Sequence, residues 1–266
     1  MNVSLEPRKV ERPFIGRWLR TSLDLIVRSP VQFGLVIVLL VCLDNAVVQL
    51  ASGYRIEKLW TYSFGSLLLG FVWVFVAALA RGADDAARTW SALAQFVRPK
   101  VWAGAVASAA VAVGFELIVD WLLGGVTGLH HRNSAAFLRH PGDFAEAIAH
   151  DAIFFTVFFT PFYFPLLALI PDISPLRAQS LSISAARKNG NIEILLGVGI
   201  IVVPAAALSE VAPVFGLVDA VTVLFLGVFN YVAYRDVFER RPGNAPQLAG
   251  VKKAPGLLPA PADRTG

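Results

Sequence analysis

Charged residues are scarce in this chain of 266 residues. They make up 16% of it, and apolar residues make up 56%, whereas soluble domains contain about 25% charged and 45–50% apolar residues. This composition leaves too few polar groups to cover a surface in water. Stretches without any charge, such as residues 62–80 and 152–170, therefore predict that the chain lies in lipid.

Other absences narrow the class of protein further. The single cysteine, Cys42, excludes an intramolecular disulfide. The sequence has no Gly-rich phosphate loop, no Gly-x-Ser-x-Gly elbow and no His-Glu-x-x-His motif, so we expect neither an enzyme nor a cofactor. Its basic residues do not gather in one patch, so nucleic acid is not an expected partner. The first thirty residues lack the short apolar core of a cleavable signal peptide.

Six apolar stretches are long enough to cross a bilayer, which takes about 20 residues of helix. They are residues 31–51, 62–80, 101–119, 152–170, 192–209 and 213–234. The predicted fold is therefore an all-α, polytopic membrane protein with short amphipathic interfacial helices. Residues 1–30 form a cytoplasmic N-terminus, residues 31–241 form one transmembrane domain, and the Pro-, Gly- and Ala-rich residues 242–266 form a disordered cytoplasmic tail.

The distribution of Lys and Arg predicts the orientation, because cytoplasmic loops carry an excess of these residues. Residues 1–30, 81–100, 171–191 and 235–266 hold six, four, three and six of them, which is 19 of the 23. The three loops on the other side hold two, two and none. Both termini are therefore expected in the cytoplasm.

Three of the inner segments are expected to carry an amphipathic helix that turns through a basic corner into a span. In the first, one helical face combines Ile15, Trp18, Leu19, Leu23 and Ile26. The second contains Trp90 and begins near Asp84 and Asp85. The third has a thin stripe of Leu176 and Ile183 before a corner at residues 187–191. Duplication of one unit and convergence on a common way to enter the membrane both explain this pattern.

Four polar residues inside the predicted spans are candidates for function, because polar groups are costly in a bilayer. They are Asp44, Asn45, Glu116 and Asp219. They could line a protonatable or cation-attracting path. Alternatively, they bond to a neighbouring helix or lie near the outer headgroups. The prolines at 161, 165 and 204 could break helices around a transport site, but membrane helices also tolerate such prolines for structural reasons.

All four histidines fall in the one long outer loop, at His130, His131, His140 and His150. Imidazole groups and the nearby carboxylates could bind zinc or copper. No tight ligand spacing connects the histidines, and an outer loop collects polar residues in any case. Both interpretations remain open.

Three motifs resemble a group of proteobacterial inner-membrane proteins that is distantly similar to YciC-like proteins and to the membrane domain of some glycerophosphodiester phosphodiesterases. They are Gly16-x-Trp18, the segment 171–191 with Arg187-Lys188-Asn189, and Tyr231-x-x-Tyr234-Arg235-Asp236-x-Phe238. The resemblance implies six helices in a bacterial inner membrane and brings no catalytic residues. Aromatic and basic side chains favour the membrane interface, which predicts interfacial anchors at Trp18, Trp90, Tyr231, Tyr234 and Arg235.

The first hypothesis for function is a non-enzymatic envelope protein that binds membrane lipids, a membrane-protein partner or a second copy of itself. The alternative is a small transporter or channel that uses Asp44 and Glu116. An enzyme acting on lipid ranks third.

Overall fold

The computed structural model describes residues 5–54, 58–85, 94, 98–111, 114, 161–211 and 216–239. This part of the chain is all-helical, as predicted, and contains no strand. The helices are α1 (Phe14–Arg28), α2 (Pro30–Tyr54), α3 (Lys58–Asp84), α4 (residues 99–111), α5 (Tyr163–Leu169), α6 (Pro175–Asn189), α7 (Asn191–Val211) and α8 (Leu217–Tyr234). A π-helical turn, Arg235–Glu239, continues α8.

Helix α8 is the centre of the bundle and packs against α1, α2, α3, α5 and α7. Every side chain from Leu226 to Tyr234 is buried. Gly227 lets α3 approach closely, since a Cβ atom there would stand 2.7 Å from the Cγ1 atom of Val76. The α3–α8 interface therefore depends on the missing side chain of Gly227.

Two pairs of helices form sharp elbows. Helix α1 and the first part of α2 meet at 96°, and α6 and the first part of α7 meet at 97°. The first elbow turns at Ser29, and the second turns at Gly190, whose φ of 88° favours glycine. Both elbows lie where the basic corners were predicted.

The buried face of α1 differs from the predicted one. Its buried residues are Phe14, Trp18, Ser22 and Leu25, whereas Leu23 is exposed. The face is rotated because α1 packs on α8 and does not only cover a lipid surface. The amphipathic helix itself is confirmed.

The described residues contain fewer candidate membrane spans than the six that were predicted. Judged by length and composition, one helix, Leu217–Glu239, could cross a membrane, and up to three could if each bent pair counts as one span. Predicted spans one, two, five and six coincide with α2, α3, α7 and α8. Residues 112–113 and 115–119 of span three and residues 152–160 of span four lie outside the described residues.

The described end of span four is not one continuous helix. Pro161 and Phe162 form a turn, and α5 then runs for only seven residues. Its side chains from Tyr163 to Ala168 are buried. This segment packs inside the protein, against α3 and α6.

Candidate functional site: a carboxylate and arginine cluster at one end of the bundle

A buried carboxylate, Asp236, lies in the π-helical turn after α8. Its Oδ1 atom accepts a hydrogen bond from Nη2 of Arg8 at 2.7 Å. Its Oδ2 atom accepts from Nη2 of Arg17 at 2.8 Å and from the indole Nε1 of Trp18 at 2.9 Å. Two guanidinium groups and one indole therefore stabilise a carboxylate whose side chain is 5% exposed.

Two further ion pairs connect α3 to the end of α8. Asp84, the last residue of α3, accepts hydrogen bonds from Arg235 and, at 2.9 Å, from the hydroxyl of Tyr231. Arg81 binds Glu239 one turn away. Asp84 was expected to support the start of the second amphipathic helix. The start of that helix lies outside the described residues; Asp84 is the last residue of α3, and its carboxylate pairs with Arg235. We refer to Asp236, Asp84, Glu239 and their partners as the cluster.

Residues 5–13 precede α1 and pass along the cluster, and we refer to them as the strap. Asn189, at the end of α6, forms two hydrogen bonds with the backbone of the strap. Its Oδ1 atom accepts from the N–H of Val10 at 2.7 Å, and its Nδ2 atom donates to the carbonyl of Arg8 at 3.0 Å. Arg12 forms an ion pair with Glu193 of α7. The strap thereby joins α6, α7 and α8.

An aromatic core lies beneath the cluster. The Trp18 ring contacts Phe14, Phe162 and Phe229, with ring centroids 4.7, 6.5 and 5.8 Å away. Burial of this ring fixes the direction of its N–H toward Asp236. The cluster is consequently held in place by packing as well as by charge.

The charged groups of the cluster are arranged to hold distant segments of the chain together. Each of its carboxylates pairs with at least one guanidinium group, so these ion pairs join the strap, α1 and α3 to the end of α8. Within the described residues, no three His, Cys, Asp or Glu side chains come together to hold a metal ion. The four histidines lie outside the described residues.

The two intramembrane candidates whose side chains the structure describes, Asp219 and Asn45, do not lie at this cluster. Asp219 is exposed in the first turn of α8, and 17 residues of helix, about 25 Å, separate it from Asp236. The amide of Asn45 donates to the carbonyl of Val41 in its own helix at 2.7 Å. Asp44 belongs to α2, but its side chain and the whole of Glu116 lie outside the described part of the structure.

Three of the five predicted anchors are interior residues. Trp18, Tyr231 and Tyr234 are each at most 1% exposed, so the protein covers these side chains and they do not reach lipid headgroups. Arg235 is partly buried and binds Asp84. Trp90 lies outside the described residues.

Sequence reasoning missed Asp236, Arg8 and Arg17 as a group. Asp236 was noted only within the closing motif after Tyr231, and 228 positions separate it from Arg8. No spacing rule connects residues that far apart. Comparison of the chain with protein-family models, curated proteins and solved structures gives no match.

Proposed function

We propose that the chain is a non-enzymatic integral protein of the bacterial inner membrane that acts by binding lipid or a membrane-protein partner, including a second copy of the chain. It crosses the bilayer with six helices and keeps both termini in the cytoplasm. The observation that carries the proposal is the separation of its surfaces: five ion pairs gather at one end, and aliphatic side chains are exposed along α2 and α7.

The origin of the cluster residues supports the proposed orientation. Arg8, Arg81, Asn189 and Arg235 come from the four segments that the Lys and Arg count assigns to the cytoplasm. The cluster and the strap bring all four segments together. Four segments on one side of a bilayer would meet in this way.

Helix lengths agree with the proposed spans. Helices α2, α3 and α7 contain 25, 27 and 21 residues, which correspond to about 37, 40 and 31 Å. The hydrocarbon core is about 30 Å thick. The family resemblance described above points to the same membrane and stays a prediction.

Alkaline carbonate washing and cysteine labelling test this proposal. Native Cys42 is replaced by Ser, and single cysteines are introduced as Lys9→Cys in the strap and His131→Cys in the long loop. A membrane-impermeant maleimide should label residue 131 in intact spheroplasts and residue 9 only after permeabilisation. Release of the chain by carbonate, or labelling of both positions from one side, would contradict the proposal.

Binding and transport are separated by two further measurements. Affinity purification from native membranes should retain a reproducible lipid or protein in a fixed ratio to the chain. Proteoliposomes should show the same proton and cation flux with the wild-type chain and with the Asp44→Asn, Glu116→Gln double variant. A wild-type flux that the double variant abolishes would favour the transporter.

A further inference from the structure

The two elbows are equivalent units. Adding 160 to a residue number in α1 gives the matching position in α6. Arg17 then matches Arg177, and Ser22 matches Ser182, with both serines fully buried. The bends of 96° and 97° are nearly equal. Shared residues, burial and angle favour duplication over convergence for these two units.

Each elbow exposes the same aliphatic stripe. Beyond the bend, an offset of 161 relates α2 to α7 and aligns three pairs of exposed residues at one helical face. Val31 and Ile192 are both 73% exposed. Leu35 is 66% exposed and its match Leu196 is 63% exposed, while Leu39 is 49% exposed and its match Ile200 is 63% exposed. Eight residues of helix make each stripe about 12 Å long, close to the ~15 Å depth of one hydrocarbon leaflet.

Each stripe begins beside an exposed cation. The offset of 160 pairs Arg28, which directly precedes the bend at Ser29, with Lys188, which lies two residues before the bend at Gly190. Neither forms an ion pair with a described residue. Asp24, one turn before Arg28, forms no ion pair with it, and its match in α6 is Ser184. Glu193 is neutralised by Arg12. Both elbows therefore carry an exposed cation three or four residues before the first residue of the stripe.

We propose that each elbow binds one anionic phospholipid of the inner leaflet. The phosphate contacts Arg28 at the first elbow and Lys188 at the second, and an acyl chain lies along the aliphatic stripe. Two copies of the chain facing each other at the same elbow would oppose like charges, which favours lipid as the occupant. This proposal deepens the proposed function and rests on it.

Spin-labelled lipids test the proposal with the full chain in bilayers. The test variant is Arg28→Gln with Lys188→Gln. The matched control is Arg20→Gln with Arg177→Gln, which also removes one exposed cation from each amphipathic helix. Neither arginine forms an ion pair with a described residue, and they lie about 12 Å and 16 Å along the helix from the elbow cations. Electron spin resonance measures the motionally restricted fraction of labelled phosphatidylglycerol and phosphatidylcholine.

The wild-type chain and the control should prefer phosphatidylglycerol at each elbow by about fivefold, and the test variant should lose this preference. The charge-retaining variant Arg28→Lys with Lys188→Arg should keep it. Equal loss in the test and control variants would show a general field of positive charge and overturn the proposal. Unchanged preference in the test variant would also overturn it.

Crosslinking and oxygen access test whether a second copy of the chain covers the elbow in place of lipid. In the Cys42→Ser background, Leu35→Cys should not form a disulfide with the same residue of a second copy. Lipid-soluble oxygen should raise the relaxation rate of a nitroxide attached at this site. Efficient crosslinking with no oxygen access would overturn the lipid proposal. Carbonate extraction of the same membranes separates the two failures, because a chain that stays integral but lacks lipid preference leaves the proposed function standing.

Discussion

Replacing Asp236 with Asn removes the negative charge of this side chain and keeps its shape. The side chain keeps its size, but an NH₂ group now faces at least one of the N–H donors on Arg8, Arg17 and Trp18. Two guanidinium groups also lose their counter-charge. Removing one partner of a buried pair costs about 3–5 kcal/mol, and each hydrogen bond to a charged group contributes about 1.5–3 kcal/mol.

The exposure of the arginines reduces this cost. The Arg8 and Arg17 side chains are 32% and 41% exposed, so water can solvate them when the carboxylate is gone. We therefore expect Asp236→Asn to lower the free energy of unfolding by about 3 kcal/mol, the lower end of the range. For a chain of this size the melting temperature should fall by about 6–12 °C.

Thermal unfolding of the detergent-solubilised chain, followed by tryptophan fluorescence, measures this shift. Asp24→Asn is the matched control, because Asp24 is exposed on α1 and forms no ion pair with a described residue. A double-variant cycle with Arg17→Gln should show that the two changes are not additive. If Asp236→Asn and Asp24→Asn shift the melting temperature equally, Asp236 does not hold the cluster together.

Three more changes test the packing around α8 and the strap. Gly227→Ala should lower stability by about 1–3 kcal/mol, because its Cβ atom would overlap Val76; Gly199→Ala, which meets nothing within 4 Å, should leave the melting temperature unchanged or raised. Asn189→Ala should speed amide hydrogen exchange throughout the strap, measured by mass spectrometry, since two strap hydrogen bonds are lost; unchanged exchange would contradict the role of this side chain. Trp18→Phe removes the indole hydrogen bond to the Asp236 carboxylate and part of a fully buried ring, so the free energy of unfolding should fall by about 2–4 kcal/mol.

The helices and their corners could be predicted from sequence because they depend on local patterns. Apolar runs match α2, α3, α7 and α8, and the basic corners mark the bends at Ser29 and Gly190. These features arise from composition and from the 3.6-residue period. The all-α class required no knowledge of which helix packs on which.

Only the tertiary structure decided where the amphipathic faces and the charges go. An aromatic side chain such as Trp18 suits a membrane interface and a helix–helix core equally well, and packing on α8 selected the core. Asp236 becomes buried because Arg8 and Arg17, more than 200 residues away, neutralise it. Periodicity assigns a residue to a face, but it does not name the partner, since ion pairs between distant segments depend on how the whole bundle folds.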